Sequence, residues 1–490
     1  MVLIILLVIP LTVAIIALIG RYRRTLEWVV AVGGVGVLIC AVLLLIQVVT
    51  AGPVRILDGF LEVDSLCAFT MLTVALVSCT ASIYSVGYMR YVLGSSPESQ
   101  ARLHHYHALQ ALFILTMLVS PALSNLGVYL IGIELTTIVS TFLVSFERAH
   151  ESLEAGWKYI VIVSSGISLA LLGTILLYFA GTPVLGSVYS LDWRTLHNVA
   201  PQLDPQLIKV VFILVLIGYG TKVGLAPMHT WLPDAHSEAP SPVSALLSGA
   251  LLNTAMFGVL RFYAITAASV GEAYPQTLLI IVGLLSMAIA SFAIIQQRDE
   301  KRLFAYSSVE HMGIIAVGFG FGGTLGVFGG LLHMLNHSLA KSLLFYGAGN
   351  VLRKYQTKEI GRITGIIRVM PVTGIFWMLG GLAILGAPPF SLFISEFAIL
   401  AAGVSRHLWF PSLMFLGLIL IVFVAFFSYM NTMVFGRPPE RVAQGELNGW
   451  TVAPLVVTFI PVLWLGLYIP HPVQHVLEQV SEIFLGGVAP

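Results

Sequence analysis

An all-α integral membrane protein of about fourteen transmembrane helices is the fold class this chain predicts. Three observations carry the expectation. Of 490 residues, 58% are hydrophobic and only 10% are charged, whereas soluble domains carry roughly 25% charged residues. Apolar runs of the ~20 residues that a bilayer crossing requires fill nearly the whole length, parted by short polar joints. Lysine and arginine gather in every second joint, at 21–24, 90–102, 148–158, 298–302, 353–368 and 437–441, while 51–59, 181–206 and 270–276 are poor in them. That alternation is the positive-inside pattern of a prokaryotic cytoplasmic (inner) membrane, and it puts both termini on the outer side.

The run 2–20 has no basic segment ahead of it, so it counts as a first crossing and not as a cleavable signal. Continuous apolar runs follow at 28–50, 64–87, 106–120, 122–146 and 157–180. The seventh, 206–227, is different: Lys222 is followed by Pro227 and Pro233 in GTKVGLAPMHTWLPDAHSEAPSP. Runs at 240–268, 276–296, 303–321 and 324–352 lead to the twelfth, 371–404, where Pro388 and Pro389 precede Glu396 in LAILGAPPFSLFISEF. The last two are 408–435 and 451–470. Proline removes a helical hydrogen bond and clashes with the preceding turn, so spans seven and twelve should break. In lipid, freed backbone groups survive only inside protein or beside water, and interrupted spans point to a transport site. Both breaks carry an ionisable residue and an Ala-Pro pair, which suggests two related halves, 106–268 and 276–435, between a three-helix segment 1–105 and a last helix with a short tail, 436–490. The longest joints, at about twenty-five residues, are too short for a soluble core.

Composition excludes several functions. Net charge is +1, so nothing suggests a nucleic-acid partner. Cys40, Cys67 and Cys79 lie in apolar runs without CxxC or Cys/His spacing and are expected to be core thiols. No nucleotide-binding glycine motif or haem-ligation pattern is present, so no cofactor is expected in this chain.

The chemistry is expected from ionisable residues placed in apolar sequence: Glu134, Lys222, His311, His337, Lys341 and Glu396. Each costs at least a few kcal/mol at mid-membrane and is tolerated where it has a partner or lines a wet cavity. Such groups spread over separate spans suit a carrier of protons or small cations, with Glu310 and His333 as further candidates on the path. His333, His337 and Lys341 follow one helix face at ~6 Å of rise per step, and histidine can pass a proton between its two ring nitrogens. Burial disfavours an ammonium ion and a neighbouring carboxylate restores it, so Glu134 moving toward or away from Lys222 would load or unload the amine. A purely structural ion pair is the competing reading. His229, Asp234, His236 and Glu238 either cap the broken seventh span or take up protons at its inner mouth. Arg261 is expected to neutralise a neighbouring acid, and Trp231, Trp377 and the run 423–427 to act in packing.

The stretches TKVGLAPMHTWLPDAHSEAPSPVSALLSG, AYSSVEHMG and HMLNHSLAKSLLFYGAGNV resemble the antiporter-like membrane subunits of complex I, Mrp antiporters and energy-converting [NiFe] hydrogenases, most of all the hydrogenase-4 and formate hydrogenlyase type. The resemblance implies fourteen helices, two inverted five-helix repeats, broken helices seven and twelve, and a hydrated polar axis. It implies translocation roles for Glu134 and Lys222 as a switchable pair, His311 as a central group, His337 and Lys341 on helix eleven, and Glu396 as the terminal site. Asn253 stands where many relatives carry a helix-eight lysine, so the central relay must differ. Fe–S and Ni–Fe centres are implied in partner subunits: other membrane-arm chains and a peripheral redox module. A complex I subunit or an Mrp-type Na⁺/H⁺ antiporter module are the alternatives.

Overall fold

Lipid offers a backbone no hydrogen-bond partner, so apolar sequence folds into helices that satisfy themselves. The computed structural model describes residues 1–20, 23–93 and 97–485; Arg21 of the first basic joint and 486–490 of the tail lie outside the described residues. Among these, ten helices are long and apolar enough to cross a membrane: Val2–Ile19, Arg23–Ala51, Ser65–Leu93, Leu126–Glu147, His150–Leu185, Pro205–Val223, Ser241–Val270, Ala273–Ile295, Trp409–Phe435 and Gly449–Leu467. The chain is a multi-pass, helical membrane bundle.

The expected count of about fourteen is corrected by this. Pro97–Ala122, Glu300–Phe321 and Gly323–Tyr355 are long helices but are not among the ten; the last two carry Glu310, His311, His333, His337 and Lys341, whose polarity lowers their hydropathy. Pro371–Ile384 and Ser391–Ser405 are apolar but short, because the prolines between them divide the span. The two inverted five-helix repeats are not seen either. The break after Lys222 leads into an eight-residue helix, Trp231–Glu238, whereas the break at Pro388–Pro389 leads into one of fifteen residues.

Burial distinguishes centre from rim. The apolar stretch of Ser241–Val270 is 100% buried and that of Trp409–Phe435 only 28%, so the helix bearing Asn253 and Arg261 is the middle of the bundle. One small β-hairpin departs from the all-α expectation: Val54–Ile56 pairs antiparallel with Leu61–Val63, with Arg55 opposite Glu62. Its second strand runs straight into Asp64, which accepts the Cys67 N–H at 2.9 Å and so caps Ser65–Leu93.

Both expected breaks are present, and their freed backbone groups are satisfied within the protein. Gly224 ends the Lys222 helix in the left-handed region (φ 83), where a side chain would be strained. Beyond it the Ala226 N–H donates to Ser286 Oγ at 2.9 Å, and Trp231 Nε1 donates to the Thr221 carbonyl at 2.7 Å. In the second break Gly386 is again left-handed (φ 64), and Asn336 Nδ2 donates to the Ser391 carbonyl at 2.8 Å. A π-helical turn, Leu247–Leu251, interrupts the central helix just before Asn253; such turns concentrate at functional sites.

Candidate functional site

Lys222 is fully buried. Its Nζ donates to the Ile133 carbonyl at 3.1 Å and to the Thr137 hydroxyl. That hydroxyl stands 3.5 Å from Glu134 Oε2, and Ser164 Oγ donates to the other carboxylate oxygen at 2.5 Å. Glu134 and Lys222 are thus brought together through Thr137 rather than in a direct salt bridge. Ile133 and Glu134 stand four and three residues before Thr137 on Leu126–Val144, so both border it on the helix surface.

A second buried lysine is held in the same manner. Lys341 Nζ donates to the Phe304 carbonyl at 2.9 Å and to the Ser307 hydroxyl. Glu310, on the same helix as those acceptors, is also buried. Between the two lysines lies His236, fully buried, with no hydrogen bond of normal geometry at either ring nitrogen among the described residues. Its ring is 6.0 Å from Trp231 on the Lys222 side and 5.9 Å from Phe345 on the Lys341 side.

Beyond Lys341 the histidines form a run. His337 makes no ring-nitrogen hydrogen bond of normal geometry among the described residues, and its ring centroid is 5.4 Å from that of His311. His311 Nδ1 shares a hydrogen bond of 2.8 Å with His333 Nε2, and His333 Nδ1 meets Ser395 Oγ at 2.9 Å. The ligating atoms of His311, His333 and Glu396 all lie within 4.8 Å of one another. Glu396 is therefore placed at the His333 end of that face. Gly386 lies against its carboxylate, and a Cβ there would fall inside contact distance of Oε2.

Asn253 is buried in the middle, its Nδ2 donating to Ser338 Oγ at 2.7 Å and to the Met334 carbonyl at 3.0 Å, on the histidine-bearing helix. At one end of the bundle Asp234 is paired with Arg302 at 2.7 Å and Lys158 at 3.2 Å, and Glu238 with Lys358 at 2.8 Å. Among the described residues no side chain makes a cap hydrogen bond at the start of Trp231–Glu238, and these two acids are ion-paired instead. His229 is buried beside Tyr306, its Nδ1 without a hydrogen bond of normal geometry among the described residues. The acid that neutralises Arg261 is Asp64, at 2.6 Å, beneath Trp193, whose ring lies 3.7 Å from the guanidinium.

Five residues that touch the candidate line escape a search for ionisable groups, Thr137, Ser164, Ser307, Ser395 and Gly386, and the acid Asp64 lies outside the expected set. The first four are hydroxyls, individually cheap in a membrane helix. A signal did exist for Thr137, one turn after Glu134, and for Asp64, which stands in the VDSL helix-start pattern.

These features define a class: a multi-pass membrane protein whose broken helices enclose hydrogen-bonded lysines, histidines and carboxylates. Residues 124–423 match the family described as NADH:quinone oxidoreductase/Mrp antiporter, transmembrane, and the chain belongs to that family. It is 37% identical to the hydrogenase-4 component F homolog of Methylacidiphilum infernorum over 87% of this chain and 89% of the relative. Its fold is similar to a chain of the archaeal membrane-bound sulfane sulfur reductase (TM-score 0.86, 23% identity, 99% of this chain and 98% of that one). A chain of the Mrp complex from Dietzia sp. DQ12-45-1b is equally similar (TM-score 0.86, 16% identity, 100% and 99%). The protein is an antiporter-like multi-pass membrane protein of this family, similar to hydrogenase-4 component F.

Proposed function

We propose that this subunit moves protons along the buried line Glu134, Thr137, Lys222, His236, Lys341, His337, His311, His333 and Glu396, driven by a redox module in partner chains. The observation that carries the proposal is the direct hydrogen bond between His311 and His333 at 2.8 Å, continued to Ser395 and abutting Glu396. Two imidazoles bonded to each other pass a proton by exchanging donor and acceptor roles. A hard cation such as Na⁺ instead wants a shell of oxygen ligands, so this half of the path supports H⁺ over Na⁺. Water bridges the remaining steps. His229 and the ion-paired Asp234 and Glu238 form the inner mouth, and both termini lie on the outer side, as the basic joints indicate.

The 37% identity to a hydrogenase-4 component F homolog supports a membrane-bound [NiFe] hydrogenase or formate hydrogenlyase as the parent complex. Purification of the native complex tests this: hydrogenase subunits should co-migrate with the chain, and a complex I or Mrp partner set would replace the assignment. For the path itself, Glu396→Gln keeps shape and hydrogen bonding but cannot titrate. Reconstituted complexes with this variant should assemble normally and lose most of their proton translocation; pumping at the parental rate would remove Glu396 from the path.

A further inference from the structure

We propose that the chain carries a binding site for an anionic phospholipid headgroup in the cavity between the ends of helices Pro97–Ala122, Leu126–Val144 and His150–Leu185. The cavity has a volume of about 430 Å³ and is lined by Arg102, His105, Leu109, Phe142, Arg148 and Leu153, among others. It is remote in kind from the translocation line, which none of these residues joins.

The lining is divided by polarity in the way a lipid requires. Arg102, His105 and Leu109 are spaced three and four residues apart, so one helix face presents a guanidinium, then an imidazole, then an apolar side chain further along the helix. Across the cavity Phe142 and Leu153 are apolar yet 60% and 51% exposed, which suits acyl chains. Arg148 is set at the rim by a tight turn: it follows the 3₁₀ turn Ser145–Glu147 in the left-handed region (φ 60), its N–H closing on the Ser145 carbonyl at 3.1 Å. A non-glycine residue at such a φ is uncommon.

Charge is left over at this site. Arg102 uses one N–H on the Phe146 carbonyl at 2.9 Å and lies 5.3 Å from that ring's centroid. Its other N–H groups, and the whole guanidinium of Arg148, have no acceptor among the described residues. The nearest acid in sequence, Glu147, is taken by Arg353 at 2.8 Å, and Glu154 by Lys158 at 2.6 Å; Glu151 is the one acid of this connection left to oppose them. Two guanidiniums with free forks match the oxygens of a phosphate diester. Basic pockets between membrane helices at the boundary are suited to anionic headgroups, and the volume falls in the range of a small-molecule site, about 300–1,000 Å³. A free phosphate would satisfy the arginines but leave Phe142 and Leu153 unused, so the lipid is the occupant assigned.

The test is native mass spectrometry of the delipidated, detergent-purified complex, titrated separately with phosphatidylglycerol, phosphatidylcholine and inorganic phosphate. One phosphatidylglycerol should bind in preference to phosphatidylcholine. At about fivefold in affinity per basic residue, the Arg102→Gln/Arg148→Gln double variant should bind it about thirtyfold more weakly, while Arg102→Lys/Arg148→Lys retains most of it. Leu153→Asn should weaken the lipid and leave inorganic phosphate unaffected. Equal binding by the double Gln variant would overturn the site, and displacement of the lipid by equimolar inorganic phosphate would overturn the lipid as its occupant. Because neither arginine touches the translocation line, proton pumping by these variants reads the function proposed above independently.

Discussion

Thr137→Val is the most informative single change in this protein. Valine has nearly the shape of threonine, so the helix packing around position 137 persists; what disappears is the hydroxyl that accepts from Lys222 and faces Glu134. Lys222 Nζ keeps only the Ile133 carbonyl at 3.1 Å. A hydrogen bond to a charged group contributes about 1.5–3 kcal/mol, and one factor of ten corresponds to about 1.4 kcal/mol. The variant should therefore shift the population of the held lysine by about ten- to a hundredfold, away from the Thr137 position and toward direct pairing with Glu134. A switch locked on one side does not cycle. Proton uptake by proteoliposomes, followed with a pH-sensitive dye while redox turnover is measured separately, should fall at least tenfold per electron transferred, by the same arithmetic at about 1.4 kcal/mol. Thr137→Ser, which restores the hydroxyl, should recover it. A Thr137→Val complex that pumps with the parental ratio would show that Lys222 acts without this bridge, and the switch described here would be wrong.

Three further outcomes follow from the same geometry. Lys341→Met should impair pumping as severely as Lys222→Met in that assay, because the two amines are held alike by a carbonyl and a hydroxyl; parental pumping by Lys341→Met would confine the relay to the histidines. Gly386→Ala introduces a Cβ against Glu396 Oε2 at a left-handed φ of 64, so the carboxyl must move; about a tenfold or greater loss of pumping is expected, since ~1 Å of misplacement can cost a hundredfold, and an unaffected variant would show that the carboxylate's position is not critical. Asp64→Ala strands the buried Arg261 guanidinium, a loss of about 3–5 kcal/mol, which should appear as a clear drop in the thermal unfolding midpoint of the purified complex; an unchanged midpoint would show the pair to be dispensable.

Charge and proline placed in apolar sequence were legible without coordinates. Lys222, Glu134, Lys341, the histidines and Glu396 all proved buried or half-buried, and both proline-marked breaks formed. Less legible was how those groups are held. A serine or threonine in a membrane helix is inexpensive because it can bond to its own preceding turn, as Thr136, Ser140 and Thr141 do here, so Thr137 and Ser307 do not stand out from such neighbours. The span count failed for a related reason. Helices Glu300–Phe321 and Gly323–Tyr355 carry the buried ionisable residues, and these remove the uniform apolar character of a crossing. The pairing of Arg261 with Asp64 spans 197 positions, and no local pattern joins residues so distant.

The contrast between Arg261 and the two lysines separates buried charge that is fixed from buried charge that can move. Arg261 meets a carboxylate directly at 2.6 Å, and a guanidinium does not give up its proton in a protein; that pair is permanent and serves to tie Ser65–Leu93 to the central helix. Lys222 and Lys341 meet neutral oxygens instead, a carbonyl and a hydroxyl each, and at Lys222 the Glu134 carboxylate stands one step further away. A carbonyl and a hydroxyl accept from an ammonium, and the hydroxyl can turn to donate to the amine once its proton has left. Neither state of the lysine is therefore stranded, which a direct salt bridge could not provide, since removal of one charge leaves the other buried and unpaired. Under the proposed function, the charge on the amine follows the distance of its carboxylate, and a displacement of Glu134 or Glu310 is the step that would release or take up a proton.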